Sequence, residues 1–113
     1  MTKHILRFRQ TDRGIFDDIH SGKKRVETRA ATVKYKNIKP GDVVVFVCGE
    51  DKLVKTVTKV YRWKSIDEMV KEIPFKKIMP SISSVEAMKK VYSSYPNYDQ
   101  KIKEFGLLGW ELK

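Results

Sequence analysis

The chain predicts an α+β fold, a small β-barrel with helices over its open ends. Three observations carry that prediction. Five segments have strand composition, and one of them, Val43–Cys48, is almost wholly apolar. Three segments have helical spacing of apolar residues with start or stop signals. The length, 113 residues, fits one domain spanning residues 1–113, with a single modest core that needs no disulfides.

Taken in order, residues 4–9 read as a strand carrying Ile5, Leu6 and Phe8. Thr11 or Asp12 is placed to start a helix that runs to about His20, with Ile15, Phe16 and Ile19 as its stripe. Gly22 suits the left-handed position that closes such a helix. Residues 25–30 read as a strand. Ile38-Lys39-Pro40-Gly41-Asp42 is a turn, because proline presets φ and glycine supplies φ > 0. Val43–Cys48 follows as a central strand. A hairpin turn at 49–52 leads to a long strand over 53–63. Ser65 and Glu68 form a capping box for a helix to about Glu72. A third helix starts at Ser84, carries Val85, Met88, Val91 and Tyr92, and stops before Tyr95-Pro96. Residues 105–112 read as the last strand. Twisted strands in this number tend to close on themselves.

Charge narrows the function classes. Twenty-four Lys and Arg face 14 Asp and Glu, a net charge of +10. Such an excess favours polyanion partners: RNA, DNA or an anionic membrane. The single cysteine, Cys48, cannot form an internal bridge and sits among valines and Phe46, so it reads as a core residue in a reducing, cytoplasmic setting. No apolar run reaches the ~20 residues of a membrane helix, and no signal peptide is expected. His4 and His20 lack partners at metal-ligand spacing, so neither a metal nor another cofactor is expected.

The densest chemistry lies at Gly22-Lys23-Lys24-Arg25-Val26-Glu27-Thr28-Arg29, one acid among four bases. On a strand, Arg25, Glu27 and Arg29 share one face, with Val26 and Thr28 on the other. Glu27 then lies between two guanidiniums, each about 7 Å along the strand. Three roles fit it. It can pair with Arg25 or Arg29 to organise the loop. It can accept from a base edge while Lys24 and Arg29 hold phosphate. It can act with Lys24 as a proton-transfer pair. The basic stripe extends through Lys23, Lys34, Lys36 and Lys39, a run suited to phosphates. Tyr35 within it is placed to stack on a base. Tyr61 and Trp63, interleaved with Arg62 and Lys64, suit either a nucleic-acid platform or the core.

The motif G-x-K-x-x-E-x-R at Gly22, Lys24, Glu27 and Arg29 resembles that of the ASCH domain family, a branch of the PUA-like superfamily. The turn and strand at 39–46, and the helices at 65–72 and 84–96 with their Tyr-Pro end, resemble small archaeal and bacterial members. The resemblance implies a PUA-like barrel with a cleft lined by the motif loop. It implies RNA or a nucleotide as partner, with Lys23, Lys24, Arg25, Glu27, Arg29, Lys34, Tyr35 and Lys36 as candidate binding residues. It also brings an alternative, a small hydrolase of N4-acetylcytidine or a ribonuclease, with Lys24 and Glu27 as catalytic candidates. The acetylcytidine hydrolases have a threonine nucleophile where this chain has Glu27. A carboxylate there would activate water instead.

Overall fold

The computed structural model describes residues 2–113. Its centre is a five-stranded sheet in the order β1-β3-β4-β5-β2. The strands are β1 (Lys3–Phe8), β2 (Val26–Ala30), β3 (Val43–Cys48), β4 (Asp51–Trp63) and β5 (Leu107–Leu112). β1 runs parallel to β3, and every other pairing is antiparallel. β1 and β2 are the two edges and do not pair, so the curled sheet stays open as a half-barrel.

The curl originates in β4. Its first half pairs with β3, from Asp51 opposite Cys48 to Thr56 opposite Val43. Its second half pairs with β5, from Val57 opposite Leu112 to Trp63 opposite Leu107. A register irregularity between Val57 and Lys59 marks the change of partner. A bulge at that point bends the strand and raises its twist.

Five α-helices occur among the described residues, where the sequence predicts about three. They are α1 (Arg13–Ser21), α2 (Ile66–Glu72), α3 (Phe75–Ile78), α4 (Val85–Ser94) and α5 (Tyr98–Phe105). Ser65 and Ser84 cap α2 and α4, accepting from the backbone N–H of Glu68 and Ala87 at 3.2 and 3.1 Å. The two unpredicted helices, α3 and α5, follow Pro74 and Asn97. Asn97 sits at φ 58° and turns the chain sharply from α4 into α5. The last strand therefore starts at Leu107 rather than at residue 105. Between α5 and β5, Gly106 has φ +80°, and a Cβ there would lie 2.5 Å from the Trp63 carbonyl oxygen. Only glycine fits that approach.

The buried residues form two clusters. One fills the half-barrel under α1: Leu6, Phe16, Ile19, Val44, Phe46 and Trp110 belong to it. The other joins the far end of the sheet to α2–α5 through Val26, Trp63, Met69, Ile78, Met88 and Tyr92. Tyr61 and Trp63 are both buried and stack at 5.3 Å, so the core reading of that pair holds and the platform reading does not. Cys48 is buried in the barrel.

Candidate nucleic-acid interface

β2 is an edge strand with the barrel behind it and the helical cap in front. Its approach is fixed from both sides. Gly22, at φ +83°, closes α1 with its N–H on Ile19 O. Lys24 N–H then donates to Asp18 O at 3.0 Å, and Arg25 N–H to Lys77 O at 2.9 Å. This double anchoring turns the Lys24 side chain inward, where it is 5% exposed. Its Nζ donates to Ile78 O and lies 3.5 Å from Glu27 Oε1.

Glu27, 4% exposed, is the hub of a three-residue cluster. Its Oε1 also accepts the Thr28 backbone N–H at 3.0 Å. Its Oε2 accepts Arg29 Nη2–H at 3.2 Å and Nε–H at 3.4 Å. Arg29 has its guanidinium carbon 5.1 Å from the Phe8 ring centroid and 5.5 Å from that of Tyr35. Its Nη1 donates to Tyr35 Oη at 3.2 Å. Rings and acid together hold the guanidinium in one orientation.

Burial sets the proton affinities here. It lowers the Lys24 pKa below the lysine range; Glu27 opposes the shift and Arg29 adds to it. Burial also works against the Arg29 charge, but Glu27, Tyr35 and Tyr98 outweigh it, so Arg29 holds its proton more tightly than usual.

Above this cluster opens a cleft of about 830 Å³. The helical cap forms its opposite wall. Tyr92, Tyr95 and Tyr98 pack ring to ring there at 5.2–6.3 Å. Burial raises all three hydroxyls, that of Tyr95 to about 12, so they stay neutral. Tyr92 Oη bonds Thr28 Oγ1 across the base of the cleft.

Of the sequence-predicted residues, Lys24, Glu27 and Arg29 meet in this cleft. Tyr35 stands behind Arg29, edge-on to Trp110 at 6.0 Å, as its support. Lys23, Lys34 and Lys36 are exposed and do not line the cleft. Arg25 precedes β2, is exposed, and faces a different groove, so it does not share a face with Glu27. Thr28, expected on the opposite face from Glu27, lines the same cleft. Arg7, Phe8 and Arg9 also line it, as do Asp12, Asp17 and Asp18 of the α1 segment. The only sequence signal for these was their closeness to the ends of predicted elements. The four cations of the lining, Arg7, Arg9, Lys24 and Arg29, are matched by four carboxylates. Among the described residues no group of three or more His, Cys, Asp or Glu could hold a metal, and no helix is long and apolar enough to cross a membrane.

The ASCH domain model matches residues 12–111, most of the chain. The chain belongs to the ASCH domain family. Among solved structures it is similar to the hypothetical protein PH0355, known from a crystal structure, with a TM-score of 0.83 and 26% identity over 100% of this chain and 98% of that one. It is also similar to protein PF0455 from Pyrococcus furiosus, solved in solution, with a TM-score of 0.75 and 26% identity over 99% and 94% of the two chains. No curated protein matches the sequence. The α+β architecture, a PUA-like half-barrel, is the one that the ASCH resemblance implies.

Proposed function

We propose that the cleft binds a nucleotide or an unpaired RNA base, with the Lys24–Glu27–Arg29 cluster as its floor. The observation that carries this is the burial of three charged side chains at the base of an open, tyrosine-walled cleft. Such a cluster contributes little net stability, because desolvation offsets most of the Coulomb gain. Its use is therefore to meet a polar ligand. The net charge of +10 and the ASCH family's association with RNA point the same way.

The hydrogen bonds redistribute the roles. Three N–H groups and the Lys24 ammonium converge on the two Glu27 oxygens. A carboxylate has about four lone-pair sites, so this one is saturated. Glu27 orients the cations and is not free to read a base edge. Arg29 keeps two of its five N–H groups unshared, and Lys24 keeps one. The ligand must then present acceptors to the floor, while its ring lies along the tyrosines.

Fluorescence anisotropy of a mixed-sequence single-stranded RNA, with uridine monophosphate as competitor, tests this. The wild type should bind, and Lys24→Met, which keeps the buried volume, should weaken both ligands. Lack of binding to either ligand by a folded wild type rejects the reading.

One observation favours a second reading, a hydrolase acting on a modified nucleoside or RNA. The lowered Lys24 pKa, beside the Glu27 carboxylate, suits proton transfer. Thr28 is a poor stand-in for the threonine nucleophile of acetylcytidine hydrolases, since its hydroxyl is engaged with Tyr92. Mass spectrometry of N4-acetylcytidine or short RNA incubated with protein decides: turnover abolished by Glu27→Gln supports it, and no product at high enzyme loading removes it.

A further inference from the structure

Charges inside the cleft cancel, four against four. The whole excess of +10 therefore lies outside it. A polyanion drawn to this protein must find its counter-charges elsewhere on the surface.

The turn at 22–25 divides the cleft from a second depression of about 470 Å³ on its far side. Lys24 borders both, so the two are one residue apart. Arg25, Lys55 and Lys113 line the second groove, with Glu111 as the only acidic side chain among its described lining residues and Thr58 as a hydroxyl. None of the three cations makes an ion pair among the described residues. Their backbones are nonetheless fixed. Arg25 O accepts Leu112 N–H at 3.0 Å, and Thr56 and Lys113 exchange two backbone hydrogen bonds at 2.9 and 3.1 Å. Three cations without ion-pair partners, held on hydrogen-bonded strand ends beside the cleft, fit a repeating anion that passes from one depression to the other.

We infer that this groove takes phosphodiesters of the same single strand whose base enters the cleft, and that the turn at 22–25 separates base from backbone. This rests on the proposed nucleotide cleft for its geometry. It assigns the affinity differently: the cleft selects, and Arg25, Lys55 and Lys113 supply the salt-sensitive attraction. The exposure of Arg25 and Lys113 makes that attraction cheap in desolvation and sensitive to ionic strength.

The test uses the full chain, a labelled ten-nucleotide oligouridylate and unlabelled uridine monophosphate, between roughly 50 and 200 mM salt. The variants are the triple substitution Arg25→Gln, Lys55→Gln, Lys113→Gln; a control with Lys71→Gln, Lys90→Gln, Lys103→Gln, which changes the net charge equally; and Lys24→Met. Circular dichroism checks that each is folded, and Arg25→Glu alone stands in if the groove triple is not. Loss of three phosphate contacts should flatten the slope of log affinity against log salt by about 2, at about 0.7 per contact on a single strand. Arg25→Glu alone should flatten it by at least about 0.7, one contact's share. Uridine monophosphate affinity should not change, and the control should keep its slope. An unchanged slope in the groove variants, or an equal loss in the control, overturns the inference while leaving the cleft reading intact. If Lys24→Met changes nothing but the groove variants flatten the slope, the cleft reading fails and the groove stands as the RNA surface. A wild type that binds only the mononucleotide overturns the groove alone, and one that binds neither overturns both.

Discussion

The half-barrel and the helical cap are built on different terms. In the barrel, Leu6, Phe46, Val44 and Trp110 pack from neighbouring strands whose backbones are locked in register. In the cap, α2–α5 are short, and they hold together by side-chain packing around Met69, Ile78, Met88 and Tyr92, with the Asp67–Lys89 ion pair and the Ser93–Asp99 hydrogen bond between helices in place of a continuous ladder. Helices of four to ten residues have little stability of their own. The cleft lies along the seam between the halves. Glu27 and Arg29 of its charged floor belong to β2, Lys24 to the turn just before it, and the tyrosine wall to the cap. On the proposed reading, the strand-borne half holds the groups that need fixed geometry, and the cap supplies the wall against which a ligand ring would lie.

That contrast can be broken by mutation. The largest effect is expected from emptying the cores. Phe46→Ala should cost about 3–5 kcal/mol and Met88→Ala about 2–5. The first should lower amide protection throughout the chain. The second should lower it first in α2–α5, with β3 and β4 least affected. Equal loss of protection everywhere after Met88→Ala would show that the two halves do not differ. Next comes Arg29→Ala, which leaves the buried Glu27 carboxylate without its guanidinium and should destabilise by about 3 kcal/mol. Arg29→Lys should restore little, because an ammonium cannot make the paired contacts to Oε2 or sit flat between Phe8 and Tyr35. Denaturant melts of the two variants check this.

The smallest effect concerns a barrel edge. Asp42 accepts from His4, from Lys39 N–H and from Thr2 N–H, and these hold its pKa down to about 2 against an ordinary 3.8. A carboxylate depressed in the folded state stabilises above its unfolded pKa. That contribution is complete above about pH 5 and is lost as the pH falls through about 2. Asp42→Asn should lower stability at neutral pH and flatten the acid limb between those values. A limb unchanged by the substitution would place the acid sensitivity elsewhere.

The sequence was more legible in the barrel than in the cap for the same physical reason. Strands 43–48 and 53–63 have long apolar or alternating runs bounded by Pro40-Gly41 and Gly49, so pattern and punctuation agree. α3 is four residues long with no side-chain cap, too short to show a period. α5 does have one in Tyr98, Ile102 and Phe105, but Tyr95-Pro96 signals an end, and the left-handed Asn97 that restarts the chain has no strong local signature. At the site, Lys24, Glu27 and Arg29 were legible from their spacing. The division of faces was not. β2 is covered on both sides, by barrel and by cap, so Glu27 and Thr28 are both buried and alternation does not separate cleft from core. Arg7, Phe8 and Arg9 enter the cleft through the sheet's topology, which brings the end of β1 round to β2. Linear spacing carries no trace of that.

The most direct measurement is an amide-resolved NMR titration of the protein with uridine monophosphate. Binding at the proposed site should shift the amides of residues 24–30 together with those of 92–98, because the floor and the tyrosine wall would contact one ligand. Shifts confined to other surfaces, or none at millimolar nucleotide, would contradict the assignment of this cleft as the nucleotide site.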